Sequence, residues 1–368
     1  MLSNTKTPNV LGTGTYGCVF YPSMNVCSGR IEDDIDSDHY ITKIQKYSVM
    51  IKDEIDIGRR IQHLPLYDHY FAPVVKSCII DKTNMDYNLV RTCTKLQNEF
   101  GEFESKPAYV SNKIRYVGSR SIFAYIATLS KNPQKQYRKL INTHLHLLDA
   151  LQILVKENIV HFDLKPPNII FDDIQSVPII IDFGLSRNMT PLIAHGFNPL
   201  KNEKIIRKTL ISDVAYDYWC IDIYVLSNIG SNSFYVDGPV SETQIKILVR
   251  GFITPIFLSV LLPEEAIKYK ADITAYFMKY VRSHKTWGDV FLDLVKCYAS
   301  WDNYSLAIGY SFINNKIRQT AQYANGEQEQ EPEQIQQYIS LLKTIILAMP
   351  NERPSANETQ ILIQSIFY

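Results

Sequence analysis

The chain of 368 residues lacks net charge: 38 lysines and arginines balance 38 aspartates and glutamates. A surface that holds polyanions needs an excess of positive charge, so general nucleic-acid binding is not expected. Also missing are an apolar run of the ~20 residues that span a bilayer and a signal-peptide pattern at the N-terminus. No membrane span is expected, and the chain reads as an intracellular, soluble protein. Cysteine is sparse: six residues, at 18, 27, 78, 93, 220 and 297, with no C-x-x-C pair. Neither a zinc site nor a disulfide framework is expected from that spacing, and Cys18 reads as a packing residue. There is no internal repeat. The length allows two lobes or two small domains with ample core.

What is present is a set of short motifs. His161-Phe162-Asp163-Leu164-Lys165-Pro166-Pro167-Asn168 has the spacing H-x-D-x-K-x-x-N, and Asp182-Phe183-Gly184 follows. Between them, Ile169-Ile170-Phe171 and Ile179-Ile180-Ile181 read as two short buried strands. A buried hairpin with polar ends would account for the strands alone. Further chemistry is suggested by Gly12-Thr13-Gly14-Thr15-Tyr16-Gly17-Cys18-Val19, which reads G-x-G-x-x-G-x-V. A dinucleotide-binding site would follow such glycines with a helix. Here Val19-Phe20-Tyr21 reads as a strand, so the glycines lie in a hairpin whose backbone amides can approach phosphates.

A lysine on the next strand would complete a phosphate grip. Lys43, within Tyr40-Ile41-Thr42-Lys43-Ile44, is favoured over Lys46, because its neighbours alternate better. The intervening acidic run, with Glu32, Asp33, Asp34, Asp36 and Asp38, is too polar to pack and reads as a solvated loop. Residues 52–61 read as a helix, with Ile51, Ile55 and Ile61 the better matches to an inner face. Glu54 is the favoured partner for Lys43; Asp53 and Asp56 read as surface charges.

Together these residues resemble the eukaryotic-type serine/threonine protein kinase family, from Gly12 to about Arg353. The composition and divergent motifs are also similar to kinases of large DNA viruses, which would put the protein in the host cytoplasm or the virion. The resemblance implies an α+β, bilobal fold: a small β-rich N-lobe at residues 1–115 and a larger, mainly helical C-lobe at 116–368, with ATP between them. It implies that Asp163 orients the acceptor hydroxyl and takes its proton, and that Lys165 stabilises the transferred phosphoryl group. Asn168 and Asp182 would hold Mg2+. Gly12, Thr13, Gly14, Thr15, Tyr16, Gly17, Val19, Lys43 and Glu54 would form the nucleotide side. The implied partner is a protein with a serine or threonine acceptor; the oligomeric state is not implied.

Further matches extend the resemblance. Tyr218-Trp219-Cys220-Ile221-Asp222 is similar to the family's Y-x-A-P-E, with aspartate in place of glutamate, and Pro350-Asn351-Glu352-Arg353-Pro354-Ser355 to its late arginine turn. An Asp222–Arg353 ion pair is therefore expected. Asp302, in Trp301-Asp302-Asn303-Tyr304-Ser305-Leu306-Ala307, is expected to brace the catalytic loop, with Asp222 as rival for that role. The wide gap between Asp222 and Asp302 implies an insertion at about 227–296. Its apolar run at 251–262 is too short to cross a membrane and reads as a buried helix.

Some positions depart from the family. Phe162 stands where an arginine usually binds an activation-loop phosphate, so activity is expected not to depend on loop phosphorylation. Ala215 stands where a threonine usually places a hydroxyl near Lys165 and Asp163. The segment 185–215, with Lys201, Lys204, Arg207 and Lys208, reads as a solvated loop or as a site for acidic substrates. Thr15 and Tyr16 read as a phosphate cap rather than an inhibitory phosphorylation site. Residues 140–160 read as a long helix whose His144 and His146 are ordinary helix positions, and 333–348 as another helix. The alternatives to an active kinase are a nucleotide-binding pseudokinase scaffold, which recruits a partner through the insertion, and transfer to a small molecule.

Overall fold

A computed structural model describes residues 8–13, 17–24, 26, 37–80, 92–93, 109–128, 133–210, 216–231, 234–252, 255–325 and 332–368. Gly14, Thr15, Tyr16, Ala215, most of the acidic run and residues 326–331 lie outside them. The chain divides into two compact units. One holds residues 1–119, 172–175 and 181–184; the other holds 120–171, 176–180 and 185–368.

The first unit is built on strands β1 (Asn9–Thr13), β2 (Gly17–Tyr21), β3 (Tyr40–Lys46), β4 (Phe71–Ala72), β5 (Val74–Ile79) and β6 (Tyr109–Arg115). Five of them form one antiparallel sheet in the order β1-β2-β3-β6-β5. Side chains alternate across a strand. In β3, Thr42 and Ile44 therefore share a face with Cys18 and Phe20, their register partners in β2, over a core that includes Tyr109 and Ile80. Lys43 and Gln45 take the other face. Lys46 is exposed at the strand end.

Helix α1 (Val49–Gln62) begins at Ser48, whose hydroxyl accepts the Ile51 N–H at 3.3 Å. Its buried stripe is Ile51, Glu54, Ile57, Gly58 and Ile61. Ile57 is buried and Ile55 only partly so, the reverse of the order favoured from periodicity. The reason is that a carboxylate, Glu54, occupies the middle of the inner face. Gly58 allows the helix to close on β5: a Cβ there would stand 2.6 Å from the Val74 carbonyl oxygen.

The cysteine reading needs correction. Cys18 and Cys93 are joined in a disulfide, both fully buried, across 75 positions of sequence. Cys78 is disulfide-bonded as well, while Cys220 and Cys297 are free thiols. A separation that long carries no local signature; the two sulfurs meet within the buried cluster of the first unit.

The second unit is mainly helical. It starts with α2 (Ile122–Thr128) and α3 (Pro133–Lys156). The left-handed Asn158, at φ 55°, turns the chain out of α3 and into β7 (Ile159–Val160). The helix therefore begins and ends earlier than expected. The hairpin of β8 (Ile169–Asp172) and β9 (Val177–Ile181) follows the catalytic segment, and β10 (Arg187–Asn188) pairs with β7.

Then come α4 (Thr190–Ile193), α5 (Glu203–Thr209), α6 (Ile221–Gly230), α7 (Glu242–Phe252), α8 (Pro255–Val260), α9 (Pro263–Arg282), α10 (Trp287–Val295), α11 (Trp301–Asn325), α12 (Glu333–Leu347) and α13 (Ala356–Phe367). The apolar run at 251–262 lies in two helices, α7 and α8, not in one. Its Phe257 is buried on Tyr269, with ring centroids 5.4 Å apart, while Leu258 and Leu262 are exposed. Among the described residues no helix is long and apolar enough to cross a membrane.

Helix α11 is buried on most sides. His144 of α3 lies fully buried between it and α12. Its ring stacks on Tyr310 at 4.2 Å, and its Nδ1 is 2.8 Å from the Tyr338 hydroxyl.

Two predictions follow from these contacts. In the chain-entropy account, closing a loop of this length stabilises by about 4 kcal/mol. Replacing Cys18 and Cys93 together by alanine should lower the urea stability of the first unit by about that amount. For His144, burial holds the pKa down at about 3, whereas an unfolded histidine titrates near 6.5. As the pH falls, the unfolded chain takes up the proton first. This contribution to stability is therefore complete above about pH 6.5 and is lost progressively towards pH 3. Urea midpoints at pH 7.5 and pH 5 should differ in that direction, and His144→Phe should flatten the difference.

Candidate active site

In the first unit, the alternation of β3 aims Lys43 at the inner face of α1. Its ammonium lies 2.9 Å from Glu54 Oε1 and 3.0 Å from Asp182 Oδ1. Gln45, two residues along the same face, donates to Glu54 Oε2 at 2.9 Å. Glu54 is only 2% exposed and is thus held from both sides. Burial alone would push the lysine pKa down. The charges of Glu54 and Asp182 outweigh it and hold the pKa above the usual lysine range, so Lys43 is a cation at every working pH. Asp56 pairs instead with Arg59 on the surface.

Asp182 has φ 61°. That left-handed conformation costs an L-residue about 1–2 kcal/mol. Beyond it, Phe183 is buried edge-on against Phe71 at 6.0 Å.

In the glycine motif, Gly17 is required by the sheet itself, since a Cβ there would meet the Ile44 carbonyl oxygen at 2.0 Å. A Cβ built on Gly12 would meet nothing within 4 Å among the described residues. Val19 faces Lys43 across the β2–β3 ladder, and Thr13 ends β1.

In the second unit the catalytic segment is pinned by a buried carboxylate. Asp302 Oδ2 accepts the His161 N–H at 2.7 Å, and Oδ1 accepts the Phe162 N–H at 3.1 Å. Burial raises the pKa of Asp302, and those two N–H groups oppose the rise. The brace expected from Asp302 is therefore present, and Asp222 does other work.

Asp163 is buried and receives three donors. Lys165 Nζ lies 2.9 Å from Oδ1, and Asn168 Nδ2 donates to Oδ2 at 2.8 Å and to the Asp163 carbonyl at 2.9 Å. The third is the Tyr216 hydroxyl, which donates to Oδ1. Burial and the Asp163 charge raise the phenol's pKa far above the tyrosine range, so it stays protonated. Sequence reasoning missed Tyr216 although it is the hydroxyl-bearing neighbour of Ala215.

Phe162 has φ 63° and is 1% exposed. Its ring meets Trp219 at 6.3 Å and Trp301 at 5.7 Å, both edge-to-face. Trp219 Nε1 donates to the Phe162 carbonyl at 2.7 Å, and Ser305 Oγ donates to the Tyr218 carbonyl at 2.7 Å. The place open to an arginine is thus filled by an aromatic cluster. Beneath it, Trp301 Nε1 donates to Asp222 Oδ2 at 3.1 Å. Arg353 grips the same carboxylate through two nitrogens, at 2.9 and 3.1 Å, with both side chains fully buried. The segment read as a loop carries the short helices α4 and α5. Lys201, Lys204 and Lys208 are exposed there, while Arg207 pairs with Glu203 at 2.6 Å.

The donor sets fit a nucleotide with a hard cation. Mg2+ is commonly held by one or two protein oxygens together with phosphates, not by a full protein cage. Asp182 keeps its carboxylate 44% exposed. Asn168 donates to Asp163 through its side-chain Nδ2, and its side-chain oxygen is an acceptor of the kind Mg2+ takes.

Comparison with known proteins points the same way. The protein kinase domain family matches residues 92–245. That span contains Asp163, Lys165, Asn168 and Asp182 but not the glycine motif, Lys43 or Glu54. Serine/threonine-protein kinase fused of Drosophila melanogaster is 26% identical over 175 residues, which is 47% of this chain and 19% of the fly protein. Serine/threonine-protein kinase TOUSLED of Arabidopsis thaliana is 28% identical over 120 residues, 32% of this chain and 16% of the plant protein. A carbon catabolite-derepressing protein kinase of Candida tropicalis is 36% identical over 77 residues, 21% of this chain and 12% of the yeast protein. The chain thus spans a fifth or less of the length of these relatives. The matches support a place in the protein kinase family, and the fold is that of a protein kinase domain, mixed α+β with a sheet-bearing first unit and a helical second.

The buried pair yields a prediction. Arg353→Ala leaves Asp222 charged and uncompensated, and should cost about 3–5 kcal/mol in urea unfolding. Arg353→Lys should recover only part of that, since one ammonium cannot reproduce the two-pronged contact.

Proposed function

We propose that the chain transfers the γ-phosphoryl group of ATP to serine and threonine hydroxyls of proteins. The observation that carries this reading is the state of Asp163. It is a buried carboxylate fixed by Lys165 and Asn168, on a loop whose backbone is itself held by Asp302. A group so placed can orient an acceptor hydroxyl and receive its proton. Lys165 then supplies positive charge where negative charge grows on the transferred group. In the first unit, Lys43 holds the nucleotide phosphates, and Glu54 and Gln45 hold Lys43 in position. The backbone of the glycine hairpin, with Gly12, Thr13, Gly17 and Val19 and with Gly14, Thr15 and Tyr16 from outside the described residues, covers those phosphates.

Asp182 of the first unit and Asn168 of the second would each offer an oxygen to Mg2+. When bound, the cation neutralises phosphate charge and fixes the phosphoryl geometry. Catalysis on this reading is positioning and charge stabilisation.

The aromatic seat of Phe162 supports activity without loop phosphorylation, since an uncharged ring, packed on Trp219 and Trp301, stands at that position. The divergent residues at 162 and 222 keep the similarity to kinases of large DNA viruses within this reading, with host cytoplasm or virion as the place of action. The disulfide favours the less reducing of the two.

Phosphate transfer from labelled MgATP to a generic protein acceptor tests the proposal. Transfer by the wild type should be lost in Asp163→Asn and in Lys43→Met, and should survive phosphatase treatment of the enzyme. Binding of MgATP with no transfer would support the pseudokinase scaffold instead.

A further inference from the structure

Tyr216 stands outside the roles assigned so far, yet its hydroxyl donates to the same oxygen of Asp163 that Lys165 contacts. Two consequences are conceivable: the phenol could occupy the acceptor's place, or it could hold the carboxylate for the acceptor. Stereochemistry decides between them. An ionised carboxylate offers about four lone-pair sites. Lys165 and Tyr216 take those on Oδ1, and Asn168 takes one on Oδ2. One site on Oδ2 remains for an incoming hydroxyl.

The seating of the ring argues the same way. It packs on Trp219 at 5.4 Å and on Tyr218 at 5.9 Å, with the Lys165 ammonium 5.4 Å above its centre. Those neighbours are not loose, because Trp219 is tied to the Phe162 carbonyl and Tyr218 to Ser305. The phenol is thus part of a fixed aromatic segment, not a tail that swings away. It also provides a hydroxyl beside Asp163 and Lys165 that the alanine at 215 cannot.

We propose that Tyr216 is a positioning residue, which fixes the Asp163 carboxylate and couples it to the segment at 216–222. This rests on the phosphoryl-transfer reading above. Through this bond the base and that segment move as one, so displacement of the segment misaligns the base.

The test is steady-state kinetics of Tyr216→Phe, which keeps the ring and removes the donor. The expected result is a fall in kcat of about tenfold or more, the scale on which small misplacements act. KM for MgATP should stay within about twofold, and the melting curve should still be cooperative. An unchanged kcat overturns the proposal. So does a raised kcat or a lowered KM for the acceptor, either of which would show that the phenol competes with substrate. A urea double-mutant cycle of Tyr216→Phe with Asp163→Ala reads the bond without turnover: non-additivity is expected, and strict additivity overturns the proposal. Should the wild type transfer no phosphate, the transfer reading fails separately, and the cycle still decides whether the phenol holds Asp163.

Discussion

The second unit depends on the hold that Asp302 keeps on the backbone at 161 and 162. A bulky residue at φ 63° is unfavourable by itself. Here it is maintained by two N–H groups on one buried carboxylate, by the Trp219 indole on the Phe162 carbonyl, and by two tryptophan rings around the side chain. The turn those contacts enforce determines where the next side chain points. That side chain is Asp163, and its direction is set before any of its own partners is considered. A carboxylate buried in α11 thus sets the direction of Asp163 through main-chain geometry.

The chain's zero formal charge conceals strong local pairing. Lys43 is flanked by two carboxylates, Asp163 by a lysine and two neutral donors, and Asp222 by a guanidinium and an indole. In each case a charge that would be costly to bury alone is met within a few ångströms. Such preorganised charges need little rearrangement when charge shifts elsewhere. The same economy accounts for Phe162. An arginine there would require an anion, and the nearby Asp222 is already gripped by Arg353 and Trp301.

Much of this was legible in the sequence wherever one residue type at one spacing had one physical use. The alternation of β3 pointed to Lys43, the helix after it offered Glu54, and the two late motifs suggested both the Asp222–Arg353 pair and the Asp302 brace. What stayed hidden depended on three-dimensional proximity without local periodicity. Cys18 and Cys93 are 75 positions apart in sequence, and the Phe162, Trp219 and Trp301 cluster draws on three distant segments. Tyr216 was overlooked for a different reason. The threonine hydroxyl absent at 215 marks a single position, whereas the phenol one residue on has the reach to supply the contact to Asp163. In α1 the apolar pattern favours Ile55, whereas the buried stripe runs through Glu54 to Ile57, because the stripe is centred on the carboxylate that meets Lys43.

The bidentate grip of Arg353 on Asp222 also says where the chain can be cut. Residues 92–245 are the part that matches the protein kinase domain family, and they include Asp222 but not the arginine that neutralises it. They also omit Trp301 and Asp302, which hold the same carboxylate and the catalytic loop. The recognisable segment therefore lacks partners that its own residues hold in the folded chain. A fragment trimmed to it would carry a bare anion in its interior and a catalytic loop without its brace, so the shortest viable version of this protein must run past Arg353.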